Sequence, residues 1–98
     1  MAQVILSPRA VRDLKDISKY LSKYNSISQV RDVLRKISSN LQANAKYPLL
    51  GRSRNELFEG LRSFTVMAYT VFYFPLEDGI NVARIVYSSR DHTNLDLN

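Results

Sequence analysis

The 98-residue chain carries a net charge of +5, no cysteine and a single histidine, His92. That length suits one hydrophobic core, a sheet packed on one helical layer, and excludes a second domain or a sheet with helices on both faces. The lack of cysteine excludes a disulfide framework and a thiolate zinc site, and fits a reducing cytoplasm.

The charge is uneven: residues 1 to 50 carry nine Lys and Arg against three Asp, while residues 51 to 98 carry five Arg against six acidic residues, so the halves stand at +6 and −1. Clustered positive charge steers acidic proteins or nucleic acid toward it, although a solvated helix face has the same composition. The start, "MAQVILSPRA", has no basic segment followed by a long apolar run, and no stretch reaches the roughly 18 apolar residues of a membrane span. A soluble, unexported, cytoplasmic protein with no membrane partner is expected.

In chain order, "AQVILS" is a short β-like run. Ser7 then offers an N-cap and Pro8 the first helical position, where its missing N–H costs nothing. Ala10, Leu14, Ile17, Leu21 and Tyr24 recur at helical spacing, the stripe that holds a helix against a core. A break at "YNSIS" leads to a second helix with Val30, Leu34, Ile37 and Leu41 on its apolar face, stopped by "NAKYP", where Pro48 disfavours helix at Tyr47. From Leu61 the pattern becomes that of strands, broken near Met67 and Ala68 and again at "PLEDG", whose Asp78-Gly79 pair signals a tight turn. The expected fold is α+β, in the order β-α-α-β-β-β, with a helical hairpin on one face of a small, mainly antiparallel sheet.

The last two strands have no polar face. In "YTVFYF" the alternating sets are Tyr69, Val71, Tyr73 and Thr70, Phe72, Phe74; in "INVARIVY" they are Ile80, Val82, Arg84, Val86 and Asn81, Ala83, Ile85, Tyr87. Antiparallel sheets with one wet side normally alternate apolar and polar residues. Two helices cover one side, so the other is expected to await a partner, unless the first strand and the C-terminal segment fold over it.

Enzymatic constellations are scarce. His92 has no second histidine or cysteine to share a metal, "GRSRNEL" lacks the second glycine and the Gly-Lys-Ser/Thr ending of a phosphate loop, and no convincing carboxylate pair is present. No cofactor or metal is therefore expected. What remains is an arginine set suited to phosphate or carboxylate: Arg52 and Arg54 in the loop, Arg62 beside Phe64 and Val66, Arg84 on the last strand and Arg90 beyond it. The structural alternative is ion pairing, of Arg62 with Glu56 or Glu59 and of Arg90 with Asp91 or another carboxylate.

"SPRAVRDLKDISKYL", "GRSRNELFEGLRSFTVMAYTVFYF" and "INVARIVYSSRD" together resemble the RelE/ParE superfamily of type II toxin-antitoxin toxins. The likeness spans almost the whole of residues 1–98, taken as one toxin domain. It lies nearest the ParE branch, with its Gly-Arg loop, Leu-Arg-Ser-Phe strand, Tyr-x-Val/Ile-Phe-Tyr strand and closing Arg-Asp. It implies the same β-α-α-β-β-β fold and a cytoplasmic growth inhibitor that is not itself an enzyme: one that traps the cleaved-DNA complex of DNA gyrase and is neutralised by a cognate antitoxin in its apolar groove. Candidate residues for target or antitoxin are then Arg52, Arg54, Arg62, Phe64, Arg84, Tyr87, Arg90 and Asp91.

The RelE branch implies instead a ribosome-dependent mRNA endonuclease, with Arg90, His92 and Arg62 as the catalytic candidates and the ribosome and mRNA as partners. Its Gly-Tyr-Arg position reads Ala68-Tyr69-Thr70 here, and no tyrosine follows Arg90. The ParE pattern is broken too, at Ala68 and at Tyr87-Ser88, where His-Gly is frequent. A non-toxic member that only binds an antitoxin-like protein is the third possibility.

Overall fold

The computed structural model describes residues 2–90 and 92–98. β1 (Gln3–Leu6) leads into α1 (Pro8–Ser22) and α2 (Ile27–Ala45), followed by β2 (Arg52–Ser53), β3 (Arg62–Val66), β4 (Tyr69–Leu76) and β5 (Gly79–Tyr87). The five strands lie in the order β1-β5-β4-β3-β2. β1 runs parallel to β5, and the other pairs are antiparallel. The expected element order holds, with one addition: the Gly-Arg loop contributes the two-residue β2 on the free side of β3.

The helices begin where their chemistry places them. Ser7 caps α1 by accepting from the Ala10 N–H at 3.0 Å, with Pro8 in the first turn. Ser26 and Gln29 form a reciprocal capping box at the start of α2, which satisfies two otherwise orphaned N–H groups. Tyr24 lies beyond the end of α1 and is 71% exposed, so the apolar stripe of that helix ends one turn earlier than its spacing suggests.

One core lies between the helices and the sheet. Ala10 and Ile17 of α1 and Ile37, Leu41 and Ala45 of α2 pack on Val71, Tyr73, Ile80, Val82 and Ile85. The second sheet face is not open, which corrects the expectation of a bare apolar surface. Leu61, Phe72, Ala83 and Val86 form a second core there, covered by Leu57 of the loop before β3 and by Leu95 and Leu97 from the irregular segment after β5. The first strand has no part in this cover, being paired to β5 at the sheet edge.

A bulge explains why simple alternation fails along β5. Phe72 pairs with Arg84 but Tyr73 pairs with Val82, so Ala83 is an extra residue. Ile80, Val82 and Ile85 consequently share the helix-side core, while Ala83 and Val86 join the other. Ser7 tethers the bulge: its N–H donates to the Val82 carbonyl at 2.9 Å and its hydroxyl to the Ala83 carbonyl at 3.0 Å.

The final turn also differs from the sequence reading. Its corner is Glu77-Asp78, and Gly79 already belongs to β5. Glycine is required there by proximity, because a Cβ would stand 1.9 Å from the Gln3 carbonyl oxygen of β1.

Candidate functional site

The arginines do not converge on one pocket. The register aligns Arg52, Ser63, Phe72 and Arg84 as successive partners across the sheet, which places Arg52 at one end of that row and Arg84 at the other. Arg52 is exposed on the sheet's outer strand. Arg54 turns over the second face: its Nε donates to Glu56 Oε2 at 2.8 Å, its Nη1 lies 3.4 Å from Ser63 Oγ, and its guanidinium sits 5.4 Å from the Phe72 ring centroid. The Arg54 hydrogen bond holds the Glu56 carboxyl below its ordinary value.

Arg84 is fully buried and spent on structure. Its Nε donates to Asp13 Oδ2 at 2.8 Å and its Nη2 to Oδ1 at 3.2 Å, while Nη1 donates to the Asp96 carbonyl of the covering segment. The same Asp13 accepts the Ile85 N–H at 3.0 Å, serving the backbone of β5 beyond the point where β1 ends. Arg84 thus has no free donor face for a partner.

Arg62 makes neither of the ion pairs weighed for it. Its Nη1 donates to the carbonyls of Leu49 and Gly51, at 3.0 and 2.7 Å. Tyr73 completes the arrangement from β4, donating its hydroxyl to the Pro48 carbonyl at 2.7 Å and accepting the Gly51 N–H at 3.0 Å. A Cβ at Gly51 would lie 2.3 Å from the Tyr73 hydroxyl, so the glycine of the Gly-Arg loop allows this close approach. Arg62 is a positioning residue for the loop, and Phe64 beside it packs on the Tyr73 ring with centroids 5.8 Å apart.

Arg90 is exposed in the turn after β5. His92 rests edge-on against Phe72, centroids 5.0 Å apart, with Nε2 3.5 Å from the Tyr87 carbonyl. Asp91 lies outside the described residues. Thr70 is buried, its hydroxyl 2.8 Å from that of Ser88. Among the described residues, no cluster of three or more His, Asp or Glu is placed to hold a metal ion, and no helix is long and apolar enough to cross a membrane.

A feature that the sequence reading did not locate is an open apolar groove between α1, α2 and β1, about 710 Å³ in volume. Val11 and Leu14 line one wall, Leu34 and Ile37 the other, Leu6 the floor, and Lys15 and Lys19 stand at the α1 side. Leu14 and Leu34 are only half-buried, so the helical stripes are wider than the sheet contact consumes. Ser18 and Ser38, small polar residues within those stripes, also line the groove.

Comparison with known proteins agrees with this architecture. Residues 4–92 match the family model for the ParE toxin of the type II toxin-antitoxin system, parDE. The chain is similar to Toxin ParE1 of Mycobacterium tuberculosis, at 26% identity over 91 residues, covering 92% of this chain and 93% of that protein. Toxin ParE3 of Caulobacter vibrioides is 28% identical over 86 residues, covering 88% and 86%. A solved structure described as the chromosomal ParDE TA system from P. aeruginosa superposes with a TM-score of 0.75 at 16% identity, covering 89% of this chain and 96% of that one. With the family model spanning nearly the whole sequence and the order of helices and strands in accord, this chain belongs to the ParE toxins of type II toxin-antitoxin systems.

Proposed function

We propose that the protein arrests bacterial growth in the cytoplasm by stabilising the cleaved-DNA complex of DNA gyrase, and that a cognate antitoxin silences it by occupying the groove between α1 and α2. Membership of the ParE family supports this reading. The observation that carries it against RNA cleavage is the state of the nuclease candidates: His92 is packed on Phe72, Arg62 is engaged with two backbone carbonyls, Arg90 is exposed in the turn after β5, and Thr70, at the position where the RelE branch has arginine, is buried against Ser88. Phosphoryl transfer needs an acid, a base and a cation converging on one phosphate, whereas Arg62 is spent on the loop beside Tyr73 of the helix-side core and His92 packs on Phe72 of the opposite face.

The groove suits an amphipathic segment. Its apolar walls would bury leucine-like side chains at roughly 25 cal/mol per Å², and Lys15 and Lys19 would meet acidic residues on the outer side. Such contact can offset the ordering cost of a disordered partner segment. In growing bacteria, induction of the chain alone should halt DNA synthesis before translation, followed by pulse incorporation of labelled thymidine and methionine. Translation failing first would favour the ribosome as target, and unaffected growth would identify a non-toxic member.

A further inference from the structure

The end of α1 exposes aromatic surface that neither the core nor the groove uses. "KYLSKY" sets Lys19 and Tyr20 four residues before Lys23 and Tyr24, which lie just past the end of α1, and the two tyrosine rings meet across that end. Tyr24 is 71% exposed, Tyr20 50% and Tyr87, from the end of β5, 38%. The three form a ladder: Tyr24 to Tyr20 is 5.4 Å between ring centroids, Tyr20 to Tyr87 6.2 Å, and Tyr87 to the buried Tyr69 5.0 Å. Anchored through Tyr69 in the core, the outer rings are held in place before any ligand arrives, which lowers the entropy lost on binding.

A cleft of about 330 Å³ opens beside Tyr20 and Tyr87, with Arg9 and Arg90 on its walls. Arg90 on the cleft wall and the exposed Lys19 and Lys23, each next to a tyrosine in the chain, supply positive charge against Asp16, since Asp13 is already matched by Arg84 and Arg9. Cationic side chains interleaved with open aromatic faces are the means by which proteins hold unpaired bases and their phosphates. A duplex hides its base faces in the stack, so such a ladder selects single strands. The cleft uses Arg9, Asp13, Asp16, Ile17 and Tyr20 of α1, whereas the groove uses Val11, Leu14, Lys15, Ser18 and Lys19, so a partner seated in the groove shares Lys19 but leaves the tyrosine rings open.

We propose that Tyr20, Tyr24 and Tyr87, with Lys19, Lys23 and Arg90 around them, bind single-stranded nucleic acid by stacking on unpaired bases. The inference is independent of gyrase and is tested without it, by fluorescence anisotropy of labelled oligothymidylate and oligouridylate of about 12 nucleotides, within the usual span of such sites. Binding should weaken about tenfold or more when salt rises from about 50 to about 200 mM, as expected for about three neutralised phosphates. Tyr20→Ala/Tyr24→Ala should lose about tenfold or more in affinity, while Tyr20→Phe/Tyr24→Phe, which keeps the ring faces, should bind as the parent does. Circular dichroism melts should match across all three proteins, because both side chains are exposed. Tighter binding of the DNA strand assigns the site to broken or unwound DNA, and tighter binding of the RNA strand assigns it to message. No binding of either strand, equal binding by the alanine variant, failure of the phenylalanine variant, or equal affinity for a blunt duplex overturns the proposal.

Discussion

Asp13 illustrates how one residue can decide whether the sheet closes correctly. Its carboxylate accepts from the Arg84 guanidinium and from the Ile85 N–H, in a site where Arg84 is fully buried. Asp13→Ala would leave a buried cation and a strand N–H without their partner, at an expected cost of about 3 to 5 kcal/mol. Chemical denaturation measures this directly, and a loss under about 1 kcal/mol would show that Arg84 finds another anion. Tyr73 and Tyr69 make a second prediction at this scale. Burial pushes both phenols above the ordinary tyrosine value, and Tyr69 is pushed further by its hydrogen bond with Tyr87. Because the folded-state values are raised, their contribution is fully present below the unfolded value of about 10 and is lost as pH rises through the folded values. Stability should therefore fall above about pH 10, and absorbance near the phenolate band should show two tyrosines ionising only as the protein unfolds. Ionisation of all six in the folded state would contradict the burial of this pair.

The elements differ in how much of their structure was legible. α1 and α2 were, because Ser7-Pro8 and the "YNSIS" break mark their starts and the apolar spacing fixes which side is buried. The bulge at Ala83 was not, because it depends on Ser7 and Asp13 reaching β5 from 76 and 72 residues away in sequence. β2 was missed for a related reason: two residues carry no periodicity, and only Arg62 and Tyr73 holding the preceding loop bring them beside β3. The helix pair supplies a test of position within a stripe. Ile37 is 1% exposed and Leu34 lines the groove, so Ile37→Ala should cost about 2 to 5 kcal/mol while Leu34→Ala costs distinctly less. Leu34→Ala should instead weaken antitoxin binding, measured by calorimetry beside a thermal melt. Equal destabilisation by the two would mean that the groove closes in solution.

At the scale of the whole molecule, the two apolar sheet faces are resolved by two different covers: helices on one side, and on the other the loop before β3 with the segment carrying Leu95 and Leu97. The sequence disclosed the surplus of apolar surface and offered the first strand and the C-terminal segment as its cover; Leu95 and Leu97 of that segment do cover it, with Leu57 of the loop, while β1 pairs at the sheet edge. The candidate site was legible only as a list of arginines. Their fates were set by topology, with Arg84 drawn into the Asp13 site, Arg62 into the loop, and Arg52 and Arg90 left to solvent. Exposed cations on an otherwise occupied scaffold suit the proposed action, binding one state of another enzyme, since a ligand shifts an equilibrium only by its preference for one state over the other. The most direct measurement is a cleavage assay with purified gyrase, supercoiled plasmid and ATP. Addition of the chain should accumulate linear, gyrase-linked DNA, and prior addition of the antitoxin should prevent it, while ribosomes programmed with mRNA show no new cuts. Codon-dependent mRNA cleavage with no accumulation of broken DNA would contradict the account.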